Sequence, residues 1–438
     1  MGKPSMSSEE CLSWLDLSGS PSPQCSPMGG QSVWASQPPD FTEERGGGTV
    51  MVATNMDGRT LFDGAVPAGD EVVSGIVTEL LVARAIGGLG EDVKSKLNKR
   101  ILFTFFSSET SGSLGSTKFF TDTLTPFTCP LPTQTTSDNA TKPLPYDPNF
   151  PTCLNPLYPS LRFTSLPNTV PTTISLSSLG SGGSTLYSLC YNGPDPSNQS
   201  QIQSILSSLS VPPGSATALP PSPLDTLISM RPTSATGCVI TSHPSSPDPL
   251  VGTIYDTPSR ISLQNLASAA TKIARAVVAD AVVGVDGMTV PSASSYATSN
   301  VPAVTADDSE ISKLLACFGS QGSACEAVKD ARAREDSRNA LRTGYGIGYM
   351  RPMGEPPNYG GGVYTSGNEQ PWIYLDGEMI AATGDGDKFE SEGGFVTLQP
   401  SELSAALKGL LSYYLQDGGQ GTSELCGTDG DCGGGGGG

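Results

Sequence analysis

Between residues 48 and 120 the chain alternates two patterns of apolar positions. Residues 50–54 (VMVAT) and 101–106 (ILFTFF) are short, nearly unbroken apolar runs rich in β-branched and aromatic side chains, the pattern of strands buried on both faces. Residues 70–86 instead repeat apolar positions at Val72, Val73, Ile76, Val77, Leu80 and Leu81, one stripe of an amphipathic helix. Asp70 and Glu71 fall in its first turn and Gly87 where a C-cap belongs. Residues 116–120 open another helix. Strand, helix, strand, helix predicts parallel strands joined by a right-handed crossover. The polar clusters at 55–57 and 108–116 then lie at the carboxyl ends of neighbouring strands, where open α/β sheets place their sites.

Further along, residues 172–179, 185–191 and 237–241 predict strands, the last running into Ser242 and His243. Residues 201–209 predict a short helix among proline-rich loops. Residues 263–285 predict a long one, with Leu266, Ala270, Ile273, Val277 and Ala281 along one face. One or two helices follow over 309–334, with Cys317 and Cys325 eight apart. Residues 121–168, rich in Pro, Thr and Ser and holding Cys129 and Cys153, read as an excursion tied by its own disulfide or disordered. From Thr343 the chain turns to Tyr- and Gly-rich strands, including 372–375 and 395–398. The expected organisation is a loop-rich leader over 1–47, an α/β domain over 48–340, a β-rich extension of it over 341–420, and a disordered Gly-rich tail over 421–438. The fold class is α/β: a mixed, mostly parallel sheet flanked by helices, with loop-rich insertions.

Charge narrows the function. The chain carries 24 basic and 43 acidic residues, a net charge of −19, and no basic stripe. That argues against nucleic acid or an anionic membrane surface as partner, and no nucleic acid is expected. Ten cysteines without a C-x-x-C pair fit disulfides better than a zinc finger. The sequons at Asn139 and Asn198 agree with a glycosylated, secretory-pathway chain. Residues 1–20 lack the basic and apolar regions of a signal peptide. No run reaches the roughly 18–20 apolar residues that span a bilayer. The best candidate, 267–285, contains Lys272, Arg275 and Asp280.

Asn55-Met56-Asp57, followed by Pro67-Ala68-Gly69-Asp70-Glu71-Val72-Val73-Ser74-Gly75, resembles the His-x-Asp … PGADDxxSG signature of di-zinc aminopeptidases. Ser108-Glu109-Thr110 is similar to their Glu-Glu pair, and Leu114-Gly115-Ser116 to the segment after it. Within that superfamily the residues resemble the nicastrin family, ectodomain subunits of γ-secretase. The shared forms are "VATxxDxRxxF", "FxFFxxExxxxxGS" and a segment appearing here as Thr253-Ile254-Tyr255-Asp256-Thr257. The resemblance implies an aminopeptidase-like fold and a non-catalytic role in substrate recognition, gating and assembly for intramembrane proteolysis of type I membrane proteins. It implies as partners presenilin, the other γ-secretase membrane subunits and the N-terminal stubs of substrates. The implied location is the lumenal or extracellular face of ER, Golgi or plasma membranes. The family's signal peptide and transmembrane helix lack counterparts here, so an incomplete chain is the expectation. By the same resemblance a disulfide joins Cys11 to Cys25.

A co-catalytic zinc site of the aminopeptidase type needs two imidazoles, a bridging Asp, two further carboxylates and a Glu as base. This chain has one histidine, His243. Carried over residue by residue, the vestigial metal positions are Asn55, Asp57, Glu71 and Thr110. Asn55 replaces the first His, Glu71 the bridging Asp and Thr110 the ligand Glu; Asp57 matches the group that orients the metal site, and Glu109 the base. No cofactor or metal is expected, and the expectation is a pseudo-peptidase. Glu109 has two readings that the sequence leaves open: a carboxylate that meets a substrate's free amino terminus, together with Asp57, Thr110, Gly112 and Ser113, or a structural cap on the following helix. The alternatives to the γ-secretase reading are a secretory zinc aminopeptidase, disfavoured by the single His, and a soluble pseudo-enzyme that binds ligands.

Overall fold

The computed structural model describes residues 32–38, 47–58, 68–124 (without 108 and 111), 170–191, 193, 200–245 and 248–321. It also describes short pieces at 133–135, 141–143, 346–350, 363–365, 371–375, 378–381 and, without 408 and 412, 407–415. The strands in chain order are β1 (Ser32–Gln37), β2 (Thr49–Asn55), β3 (Arg100–Phe106), β4 (Thr133–Thr135), β5 (Thr141–Pro143) and β6 (Thr172–Leu176). They continue with β7 (Tyr187–Tyr191), β8 (Thr236–Thr241), β9 (Gly346–Met350), β10 (Val363–Thr365), β11 (Pro371–Leu375) and β12 (Glu378–Ala381). Seven form one sheet in the order β7-β8-β6-β2-β3-β1-β9. β8, β6, β2 and β3 run parallel. β7 adds to one side antiparallel, and β1 and β9 to the other.

The two faces of the sheet explain the unbroken apolar runs. Val50 and Val52 of β2, with Ile101, Phe103 and Phe105 of β3, face the larger core. Their neighbours Met51, Ala53, Leu102 and Phe106 face a second core on the other side. Alternation is present, but both phases are apolar because helices cover both faces. The helices are α1 (Ser74–Gly87), α2 (Glu91–Lys94), α3 (Leu114–Leu124), α4 (Gln201–Ser208), α5 (Pro223–Met230), α6 (Leu263–Val282), α7 (Val290–Asn300) and α8 (Ser309–Ala316). A π-helical turn, Gly69–Val73, leads into α1. α1 and α6 pack in the larger core, where the many alanines of α6 let the helix lie close to its neighbours. The side chain of Ser262 caps α6 by accepting the N–H of Asn265. On the opposite face, Phe119 and Phe120 of α3 close around Phe106, with ring centroids 5.4 and 6.1 Å away.

Three parts of the chain differ from the sequence-based expectation. The segment assigned to a loop-rich leader contributes β1, wholly buried between β3 and β9. α5 lies where proline-rich loops were expected, and α7 in a stretch with no sequence-based prediction. The helix predicted over 263–285 ends at Val282. Helical residues among 407–415 are buried in the larger core. Among the described residues no helix is long and apolar enough to cross a membrane.

Candidate functional site

The four parallel strands end on one edge, and their loops meet there. From β2 to β3 the chain moves to one side, and β6 then pairs on the other side of β2. This reversal opens a crevice at the strand ends, the usual place for a site in such sheets. Two polar clusters fill it.

The first joins the loops after β2 and β3. Asp57 Oδ1 accepts the Glu109 N–H at 2.9 Å, while Oδ2 accepts the Thr110 N–H at 2.8 Å and the Thr110 hydroxyl at 2.6 Å. Glu109, only 7 % exposed, turns its own carboxylate towards α3. Its Oε1 accepts the Ser116 N–H at 2.7 Å, and its Oε2 lies 2.9 Å from the Ser116 hydroxyl. That hydroxyl also lies 2.9 Å from Thr226 Oγ1 of α5. The backbone closes the turn through a bond from Ser113 N–H to the Glu109 carbonyl, with Gly112 and Ser113 both left-handed. Burial pushes the Glu109 carboxyl up to about 7; the two Ser116 donors oppose this, and the negative charge of Asp57 adds to it.

The second cluster joins the turn before α1 to the loops after β6 and β8. Asp70 is wholly buried. Its Oδ1 accepts the N–H groups of Gly180 at 2.6 Å and Ser181 at 3.0 Å, and its Oδ2 lies 2.5 Å from the Ser181 hydroxyl. Ser181 Oγ is also 2.8 Å from Asp248 Oδ2, so one hydroxyl proton faces two carboxylate oxygens. Arg260 supplies the positive charge, with Nη2 2.7 Å from Asp248 Oδ2. Against the burial that would raise it, the Leu250 N–H, Ser181 and Arg260 hold the Asp248 carboxyl below its usual range. His243 Nε2 stands at the margin, 3.4 Å from Ser181 Oγ and 3.7 Å from Asp70 Oδ2. Asp70, His243 and Asp248 thus bring three ligand-type atoms within 4.8 Å of one another. Asp256 clasps the turn from outside: its carboxylate accepts the N–H groups of Asp70 and Glu71, and its carbonyl that of Gly69. The approach is so close that a Cβ on Gly69 would lie 2.5 Å from the Thr257 carbonyl carbon.

Of the residues singled out from sequence, the structure brings Asp57, Glu109 and Thr110 into direct contact, with Gly112 and Ser113 in the same turn. Asn55 ends β2, its Oδ1 buried without a partner among the described residues. Glu71 contributes a backbone N–H to Asp256. Cys11, Cys25, Asn139 and Asn198 lie outside the described residues. Sequence reasoning missed the linkage of Asp70, Ser181, Asp248 and Arg260. Its trace was the acid pair of residues 70–71, read there as first-turn acids and as part of the aminopeptidase-like signature. The chain also contains a disulfide between Cys190 and Cys238, directly opposed across β7 and β8.

The comparisons converge on these elements. The Nicastrin family model, describing the nicastrin large lobe, matches residues 48–129, from β2 past α3. Nicastrin from Mus musculus is 31% identical over 101 residues, which is 22% of this chain and 14% of that protein. Nicastrin from Rattus norvegicus gives the same identity and shares. The matched region thus spans about one-seventh of the length of these curated relatives. The crystal structure of the γ-secretase component nicastrin superposes with a TM-score of 0.53 at 20% identity, covering 89% of this chain and 56% of that one. Residues 48–129 are thus similar in sequence to the nicastrin large lobe, and most of the chain is similar in fold to the nicastrin crystal structure.

Proposed function

We propose that this chain acts as a non-catalytic, nicastrin-like subunit of a γ-secretase-type membrane protease, serving substrate recognition and assembly. The observation that carries the reading is the match to the nicastrin large lobe over the residues that build the first cluster. The donor set does not fit two zinc ions. Asn55 and Thr110 occupy positions where the aminopeptidase pattern has ligands, and the single His243 stands with Asp70 and Asp248 instead. There, the carboxylate oxygens already accept backbone and hydroxyl donors, and the Arg260 guanidinium holds the place of a cation.

In this reading Glu109 is the cap of α3, and the turn of Thr110, Gly112 and Ser113 is the rim a substrate stub would meet. Ile254 and Tyr255, 59 % and 65 % exposed, add an apolar contact on the loop that Asp256 anchors to the site. Partners are those of the nicastrin family: presenilin, the other membrane subunits and the N-terminal stubs of type I membrane proteins. The location is the lumenal or extracellular side of the secretory pathway and plasma membrane. The test is purification of the native full-length protein from its own membranes. Co-recovery of presenilin is the expected result; a preparation that never contains it overturns the proposal.

A further inference from the structure

Among the described residues, one carboxyl group is buried in the larger core with no cation paired to it. Glu79, on α1, is wholly buried. Its Oε1 accepts the N–H of Thr104 in the middle of β3, at 2.8 Å, so a helix side chain receives a strand donor. Its Oε2 is buried without a hydrogen-bond partner among the described residues, and so is Thr54 Oγ1 of β2, whose hydroxyl is near enough to act on the Glu79 carboxyl. The charged groups on the elements packed around it are engaged elsewhere. Asp70 bonds Gly180 and Arg84 pairs with Asp308; Lys272 and Arg275 of α6 bond the carbonyls of Ser210 and Val301. Asp280 pairs with Lys99, and Arg100 lies at the start of β3, four residues before Thr104. An ionised carboxylate here would hold one backbone donor and no counter-charge, at a cost of several kcal/mol.

We propose that Glu79 is a neutral carboxylic acid that braces α1 against two strands beneath the candidate site, accepting from Thr104 and donating its own proton towards Thr54. Thr54 directly precedes Asn55, whose loop carries Asp57, so the brace supports the strand end on which the first cluster is built. Burial pushes the group well above its ordinary value, opposed by the Thr104 N–H and the Thr54 hydroxyl. A raised folded value means that the brace is fully effective in acid and is lost as the pH rises through that value.

Infrared spectroscopy of the full chain at about pH 8.5, where Glu109 is largely ionised, tests this. The wild type should retain a protonated-carboxyl C=O band that is missing in Glu79→Gln. The variant's melting temperature should also fall less than the wild type's as the pH is raised further. Gln keeps the acceptor for Thr104 and supplies an N–H for Thr54. Carboxylate bands in place of the acid band in the wild-type-minus-variant spectrum overturn the proposal. Should Glu79→Gln not fold, the wild-type spectrum decides: no acid band at that pH overturns it. Thr54→Val should move the band towards that of an unbonded acid, and an unmoved band excludes Thr54 as the partner.

Discussion

Ser116 presents both its backbone N–H and its hydroxyl to Glu109, so both carboxylate oxygens are engaged before any ligand arrives. The arrangement closes the first turn of α3 and ties it to the Asp57 loop. The folded value of about 7 stands above the ordinary 4.5, so the stabilisation from protonated Glu109 is complete below about pH 4.5 and disappears as the pH rises through 7. A shift of that size corresponds to about 3 kcal/mol across the window. Glu109→Gln mimics the protonated acid and should flatten this part of the profile. Thermal unfolding followed from acid to mildly alkaline pH would show it, and an unchanged slope in the variant would refute the assignment. Binding of a substrate-like stub by the folded variant should change little, because the carboxylate is already bonded to Ser116. A ten-fold or greater loss of stub affinity at unchanged stability would restore the receptor reading of Glu109.

β2 and β3 were legible as unbroken apolar runs, and α1 and α6 because each repeats apolar positions at helical spacing. β1 was not, because its sequence SVWASQ mixes Ser and Gln with apolar residues although all six are buried, Ser32 accepting the Ser107 N–H. α7, VPSASSYATSN, is small and polar, and its start is set by the Thr289–Ser292 capping box rather than by an apolar stripe. The site divides in the same way. Asp57 and Glu109 follow consecutive strands and could be paired from the strand–helix–strand pattern. Ser181 lies 111 residues from Asp70 and 67 from Asp248, and no periodicity encodes contacts at that range. Asp256 is the tie most open to test at this scale, because three backbone N–H groups at the entry to α1 depend on residue 256, two of them on its carboxylate. Asp256→Ala should leave the Asp70 and Glu71 donors unpaired and lower stability by about 1–3 kcal/mol. Denaturant unfolding measures the change; a midpoint equal to wild type would mean that other groups satisfy that turn.

Two ties hold distant parts of the chain to the sheet. The first is the Cys190–Cys238 bridge, which closes a separation of 48 residues and fastens the edge strand β7 to β8. In the loop-entropy estimate it contributes about 4 kcal/mol. A non-reducing peptide map should contain the linked pair, and a paired Cys→Ser variant should melt lower; alkylation of both thiols without reduction would disprove the bridge. The second is the segment over 407–415. Leu407, Leu410, Leu411, Tyr414 and Leu415 are buried in the core shared by α1 and α6. The Tyr414 hydroxyl donates to Glu310 on α8. The segment passes so near the end of α1 that a Cβ on Gly87 would stand 2.0 Å from the Tyr414 carbonyl oxygen. Four leucines and a tyrosine at about 1.5–3 kcal/mol each approach the roughly 5–15 kcal/mol that stabilises a whole domain. A chain ending before residue 407 should therefore fail to fold cooperatively. Gly87→Ala is the gentler probe: it leaves every apolar residue in place but forces the segment away from α1, so it should lower the melting temperature without abolishing the transition. If both variants melted like the wild type, the segment would not belong to the core, and the larger core would have to be stable on α1, α6 and the sheet alone.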